Sequence, residues 1–119
     1  MVDDKATLCF AMREYFKMYN YEVACAHNVD DATTLLNTSH FSVVIADLDL
    51  GGNHNLDGFK VIKFVQERFP ETRTIVLTAY GSAEVESAAR DCGVGAFLHK
   101  PKPLSEVARI VFELVGDNL

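Results

Sequence analysis

The sequence predicts an α/β fold, a doubly wound parallel sheet with helices on both faces. Three observations lead there: short, nearly continuous apolar runs rich in β-branched residues, such as FSVVIA (41–46) and RTIVLT (73–78); segments of helical periodicity between them; and the alternation of the two along the chain. A chain of 119 residues has room for one core, so residues 1–119 are read as one domain. In such sheets ligands bind beyond the carboxyl ends of the strands.

Residues 6–19 place Leu8, Met12, Tyr15, Phe16 and Tyr19 at helical spacing with charged positions between them, an amphipathic helix. YEVACA (21–26) is short and apolar and is expected to be a strand, and 29–37 follows as a helix with aspartates in its first turn, where they oppose the helix dipole. The run 41–46 leads into Asp47. After a Gly- and Asn-rich loop, 57–69 carries the apolar stripe Phe59, Ile62, Val65 and Phe69, and Pro70 ends that helix. Strand 73–78, helix 82–93 with a glycine stop, strand 95–98 and a last helix over 103–115 with proline at its start complete the order.

Composition narrows the function. The net charge of −6 supplies no basic stripe, so this segment is not expected to bind nucleic acid directly. No apolar run approaches the ~20 residues of a membrane span, and MVDDK lacks the features of a signal peptide, so no membrane association and a cytoplasmic location are expected. Cys9, Cys25 and Cys92 are widely spaced and read as reduced, mostly buried thiols, while His27, His40, His54 and His99 show no metal-ligand spacing.

The stretch VVIADLDLGG (43–52) ends a buried-looking run on Asp47 and adds Asp49 two residues later. Aspartates of this kind serve as turn residues or as site residues. At the carboxyl ends of the predicted strands lie Asp47, Thr78 and Lys100, and the acidic pair Asp3 and Asp4 precedes the first helix. With MVDDK, VVIAD, LTAYG (77–81) and HKP (99–101) in this order, the chain resembles, over essentially its full length, the receiver domain of two-component response regulators. The resemblance implies a flavodoxin-like receiver fold and a phosphoacceptor signalling domain that is not a turnover enzyme.

By that resemblance Asp47 attacks a phosphohistidine of a histidine kinase or phosphotransfer protein and becomes an acyl phosphate. Asp3, Asp4, Asp47 and the backbone carbonyl of Asp49 would hold Mg²⁺ (or Mn²⁺), a hard cation suited to crowded carboxylates. Lys100, Thr78 and the Ala79 amide would contact the phosphoryl oxygens, and Asp49 and Tyr80 occupy positions that govern attack by water. Thr78 and Phe97 would form the switch that biases the face made by 83–92, 95–98 and 103–115 toward a downstream effector, although Phe97 reads equally as plain core.

Two other readings stand beside this one. VVIADLDLGG also resembles the first motif of haloacid-dehalogenase-type phosphatases, with Asp47 as nucleophile and Asp49 as acid/base, but those enzymes need acidic ligands after the lysine and only Asp117 is available. A receiver-like interaction module that takes no phosphate is the third.

Two departures from the family pattern bear on the site. The loop between Asp47 and Asp57 is longer than usual and has Gly51 where relatives often carry proline, so a mobile rim is expected. An apolar strand should precede the acidic pair in the middle of the sheet, yet only Met1 and Val2 do so. About 1.5–3 kcal/mol for each missing buried side chain rivals the about 5–15 kcal/mol of a whole domain. The expected remedies are a truncated start, a sheet completed by swapping or by another chain in a homo-oligomer, which is favoured, or direct pairing of 21–26 with 41–46; displacement of the front would separate Asp3 and Asp4 from Asp47.

Overall fold

The computed structural model describes residues 1–51 and 55–116. Three parallel strands, β1 (Val43–Ala46), β2 (Arg73–Thr78) and β3 (Ala96–His99), form a sheet in the order β1-β2-β3. Val43 aligns with Arg73 and Ile75 with Ala96. The helices are α1 (Ala6–Lys17), α2 (Val29–Thr38), α3 (Gly58–Arg68), α4 (Ala83–Asp91) and α5 (Leu104–Val115).

Alternation along the strands divides the core into two layers. On one face Val44, Ala46 and Val76 pack with Ala32 and Leu36 of α2, Val61, Ile62 and Val65 of α3, and Ala89 of α4. On the other, Ile45, Ile75 and Leu77 meet Met12 and Phe16 of α1 and Val107, Ala108 and Val111 of α5. Helices therefore cover both sides, as the near-continuous apolar strands require.

Local chemistry sets the element ends. Asn28 caps α2 by accepting the Asp31 amide at 2.8 Å, with Asp30 and Asp31 in the first turn. Ser82 does the same for α4 through the Val85 amide at 3.2 Å. Gly116, at φ 78°, ends α5 in the left-handed region that glycine enters without strain. α1 stops at Lys17 rather than residue 19, because the turn through Asn20 at φ 65° redirects the chain toward Tyr21.

Segment 21–26 is a correction to the sequence reading. It runs beside the sheet and, among the described residues, makes one bridge, between Ala26 and Val2. Val2 pairs parallel with both Ala26 and Ala46 and so stands between the two segments; among the described residues no pairing joins 21–26 directly to 41–46. The Val2 amide donates to Ile45 O (2.7 Å), the Asp47 amide to Val2 O (2.9 Å), and the Asp3 amide to Ala26 O (3.0 Å). One residue thus occupies the place of a central strand, and the front of the chain is anchored rather than displaced.

Cys9 is buried, Cys25 and Cys92 are half-buried, and all three are free thiols. Burial, with the Cys25 thiol beside it, pushes Cys9 up to about 12, so it stays protonated and behaves as a small apolar residue. Of the expected mobile rim, residues 52–54 lie outside the described residues, as do His54 and Asp117. No helix among the described residues is long and apolar enough to cross a membrane.

Because Ile75 is fully buried in the middle strand, Ile75→Ala should lower stability by about 2–5 kcal/mol. Urea denaturation should show a lower midpoint with an unchanged slope.

Candidate functional site

The carboxyl ends of all three strands converge on one group of side chains. Asp47 follows β1, Thr78 is the last residue of β2, and Lys100 follows β3. Asp3 follows the Val2 bridge. The Lys100 amide donates to Thr78 O at 2.9 Å, which fixes the lysine's starting point relative to β2, and the Lys100–Pro101 peptide is cis.

The Lys100 ammonium donates to Asp3 Oδ2 at 2.7 Å and to Asp47 Oδ2 at 3.0 Å. Asp3 is fully buried and Asp47 nearly so, whereas the Lys100 side chain keeps 19% of its surface. Burial works to lower the Lys100 pKa, but the hydrogen bonds and charges of Asp3 and Asp47 outweigh it and raise the pKa above the ordinary lysine value. The lysine is therefore a fixed cation at neutral pH.

Carboxylate oxygens of Asp3, Asp4 and Asp47 all lie within 4.8 Å of one another. Backbone amides orient them: Lys5 N–H donates to Asp3 Oδ1 (2.8 Å), Gly51 N–H to Asp4 Oδ2 (3.1 Å), and Asp49 N–H to Asp47 Oδ1 (3.1 Å). One ammonium against three carboxylates leaves the cluster short of positive charge, and an all-oxygen donor set suits a hard divalent cation better than a soft metal. The residues fit Mg²⁺ or Mn²⁺.

The other sequence-predicted residues lie around this cluster. The Thr78 hydroxyl is buried and accepts the Tyr80 amide at 3.3 Å, Ala79 and Tyr80 are exposed, and Asp49 is buried. Phe97 is buried in the layer that contains Val76, and its ring meets His99 edge-on at 5.3 Å between centroids.

Three contacts escaped the sequence reading. The shorter of the two lysine bonds goes to Asp3, 97 residues away, and no local pattern signals it. His27 Nδ1 lies 2.9 Å from Asp3 O, so the residue after Ala26 helps hold the acidic pair. Gly58 presses on the acceptor loop: its amide donates to Leu48 O at 2.9 Å, and a Cβ there would stand 2.1 Å from Asp47 O and 2.5 Å from Leu48 Cα. The Asp57-Gly58 pair carried that signal, because glycine at a helix start permits close backbone approach.

Comparison with known proteins adds to this geometry. The sequence profile described as the response regulator receiver domain matches residues 1–112. Among curated proteins the chain is similar to the response regulator protein PilR of Pseudomonas aeruginosa (28% identical, covering 93% of this chain and 24% of PilR). It is also similar to the regulatory protein AtoC of Escherichia coli (30%, covering 93% and 23%). The chain thus spans about a quarter of the length of these relatives.

Among solved structures, a CheY-like receiver domain protein of Methanospirillum hungatei superposes with a TM-score of 0.89 at 19% identity, covering 97% of this chain and 90% of that one. A response regulator of Burkholderia pseudomallei, solved with a phosphorylated aspartic acid, a calcium ion and citrate, gives 0.85 at 25% identity, covering 97% and 66%.

Gly58→Ala must push the 47–48 backbone away from α3, because the blocking atoms are main chain and no rotamer relieves them. A loss of about 1–3 kcal/mol in thermal or urea unfolding is expected, with displaced amide resonances of Asp47 and Leu48 in NMR spectra.

Proposed function

The chain belongs to the response regulator receiver domain family of two-component systems, and from that premise we propose that Asp47 is its phosphoacceptor. Receiver domains are phosphoacceptor signalling domains, not turnover enzymes. The observation that carries the assignment is the contact of Lys100 with Asp47 inside the three-carboxylate cluster. The phosphorylated aspartate of the Burkholderia pseudomallei relative supports it.

In the proposed reaction a carboxylate oxygen of Asp47 attacks the phosphorus of a phosphohistidine on a histidine kinase or phosphotransfer protein. The new O–P bond forms as the P–N bond breaks, and the imidazole leaves with the N–P electron pair. Asp3, Asp4, Asp47 and the Asp49 carbonyl would hold Mg²⁺ or Mn²⁺, which when bound supplies charge neutralisation at the phosphoryl oxygens. Lys100 holds the acceptor carboxylate before transfer and transfers its donors to a phosphoryl oxygen afterward, while remaining bonded to Asp3. The Thr78 hydroxyl and Ala79 amide offer further donors, in the manner of an oxyanion site.

Thr78 is also the link to output. Turning its hydroxyl from the Tyr80 amide toward a phosphoryl group opens space beside Phe97, whose inward movement would remodel the face of α4, β3 and α5 for an effector domain or protein. A Cβ on Gly81 would lie 2.7 Å from Phe97 Cε1 and 2.8 Å from His99 Cε1, so the loop after Thr78 packs directly against this ring. The phosphatase reading is not favoured, because the family match embraces the whole constellation.

Incubation with acetyl phosphate and Mg²⁺ should add one phosphoryl group by mass spectrometry, and Asp47→Asn should abolish it. Continued labelling of that variant at the same level would refute the assignment. Lys100→Met should slow labelling by about 10²-fold, since a preorganised donor is lost. For lifetime, decay of the acyl phosphate in Asp49→Asn and Tyr80→Ala should depart from the parent in at least one; identical half-lives in all three would remove these residues from control of hydrolysis.

A further inference from the structure

The packing of α1 on segment 21–26 brings two cysteines together behind the acidic pair. Tyr21 and Val23 belong to the α1/α5 layer and Ala26 to the α2 layer, so side chains alternate along the segment and Cys25 falls on the α1 side. On α1 the buried residues Cys9, Met12 and Phe16 share one face at spacings of three and four. Phe16 meets the Tyr21 ring edge-on at 5.8 Å, just past the turn through Asn20 that reverses the chain. Followed back from that contact, Cys9 lies about two helical turns away, level with Cys25. There the Cys9 thiol donates a hydrogen bond to the Cys25 sulfur.

Both cysteines are tied to Asp3 through short backbone links. The Cys9 amide donates to Lys5 O at 3.2 Å, and the Lys5 amide to Asp3 Oδ1 at 2.8 Å. Cys25 precedes Ala26, whose carbonyl accepts the Asp3 amide at 3.0 Å, and His27 Nδ1 lies 2.9 Å from Asp3 O. The thiol pair therefore spans the two segments that hold this carboxylate. Cys92 lies elsewhere, at the end of α4 in the other layer.

We propose that Cys9 and Cys25 are a reversible oxidation site, at which a hydroperoxide closes a disulfide that joins α1 to segment 21–26 and disturbs Asp3. Cys25 reacts first, being half-buried where Cys9 is closed off. With hydrogen peroxide its sulfur attacks one oxygen, the O–O bond breaks, and the departing hydroxide takes the Cys25 proton and leaves as water. The Cys9 sulfur then attacks the resulting sulfenic sulfur. The S–S bond forms, the S–O bond breaks, and the second hydroxide leaves as water with the Cys9 proton. The two sulfurs give up two electrons and the peroxide takes them. Burial keeps Cys9 protonated until that second step, which suits the resolving partner. Drawing the sulfurs into bonding distance shifts the first turn of α1 against 25–27, and Asp3 hangs from both. The effect on cation binding rests on the reading of Asp3, Asp4 and Asp47 given above.

The test treats the full chain with hydrogen peroxide, alkylates the denatured product and measures its mass. The expected product is lighter by two hydrogens before alkylation, takes the label at Cys92 alone, yields a cross-linked peptide carrying Cys9 and Cys25, and returns to three thiols with dithiothreitol. Cys9→Ala should halt at a sulfenic acid on Cys25 that dimedone captures; should that buried variant not fold, Cys25→Ser, at the half-buried position, must leave Cys9 as a free thiol after peroxide. The bridged chain should show displaced Asp3 and Lys5 amide resonances and bind Mg²⁺ about tenfold more weakly than the reduced chain. Three alkylated thiols after peroxide, a bridge through Cys92, or a bridged chain with unmoved Asp3 resonances and unchanged Mg²⁺ affinity would each overturn the proposal. A reduced chain that binds no Mg²⁺ would refute the cation reading instead, while mass and alkylation decide the bridge without metal or phosphate.

Discussion

The Lys100 ammonium allows two buried aspartates to share one end of the sheet. Asp3 and Asp47 lie within hydrogen-bond reach of the same cation, and without it their mutual repulsion in a poorly solvated place would push the loops that carry them apart. The rest of the arrangement serves to hold that cation and its partners still. The sheet register sets Thr78 beside Lys100, Val2 hangs Asp3 from two neighbouring segments, and backbone amides fix the carboxylate oxygens.

Much of this was legible in the sequence because it depends on local rules. The apolar runs ending in Asp47 and Thr78 became β1 and β2, and the helices began where Asn28 and Ser82 offered capping oxygens. The order of acidic pair, aspartate, threonine and lysine pointed to one family, and the matched profile covers it. What was not legible depends on partners distant in the chain. YEVACA has the composition of a strand, yet a strand is defined by its neighbours, and among the described residues it makes one bridge, between Ala26 and Val2. The Asp3–Lys100 bond joins the two ends of the fold, beyond the reach of any periodicity.

Displacement of the front of the chain would have separated Asp3 and Asp4 from Asp47. Instead a single residue does the positional work of a strand, because four backbone hydrogen bonds at Met1, Val2 and Asp3 are made to the two flanking segments. Placement is thereby separated from packing: the carboxylates are set by backbone hydrogen bonds at the bridge. Phe97 illustrates a similar division, being at once a buried packing residue and the ring against which Gly81 is pressed.

The span of the Asp3–Lys100 contact, 97 residues along the chain, has a consequence for biogenesis. Such distant pairings are closed late, after the entropy of a long loop has been overcome. A chain emerging from the ribosome carries Asp3, Asp4 and Asp47 well before it carries the lysine, so their shared cation joins them only near the end of synthesis. The cluster of lysine and aspartates therefore closes as one event, when the last strand docks, and an unfinished chain lacks it.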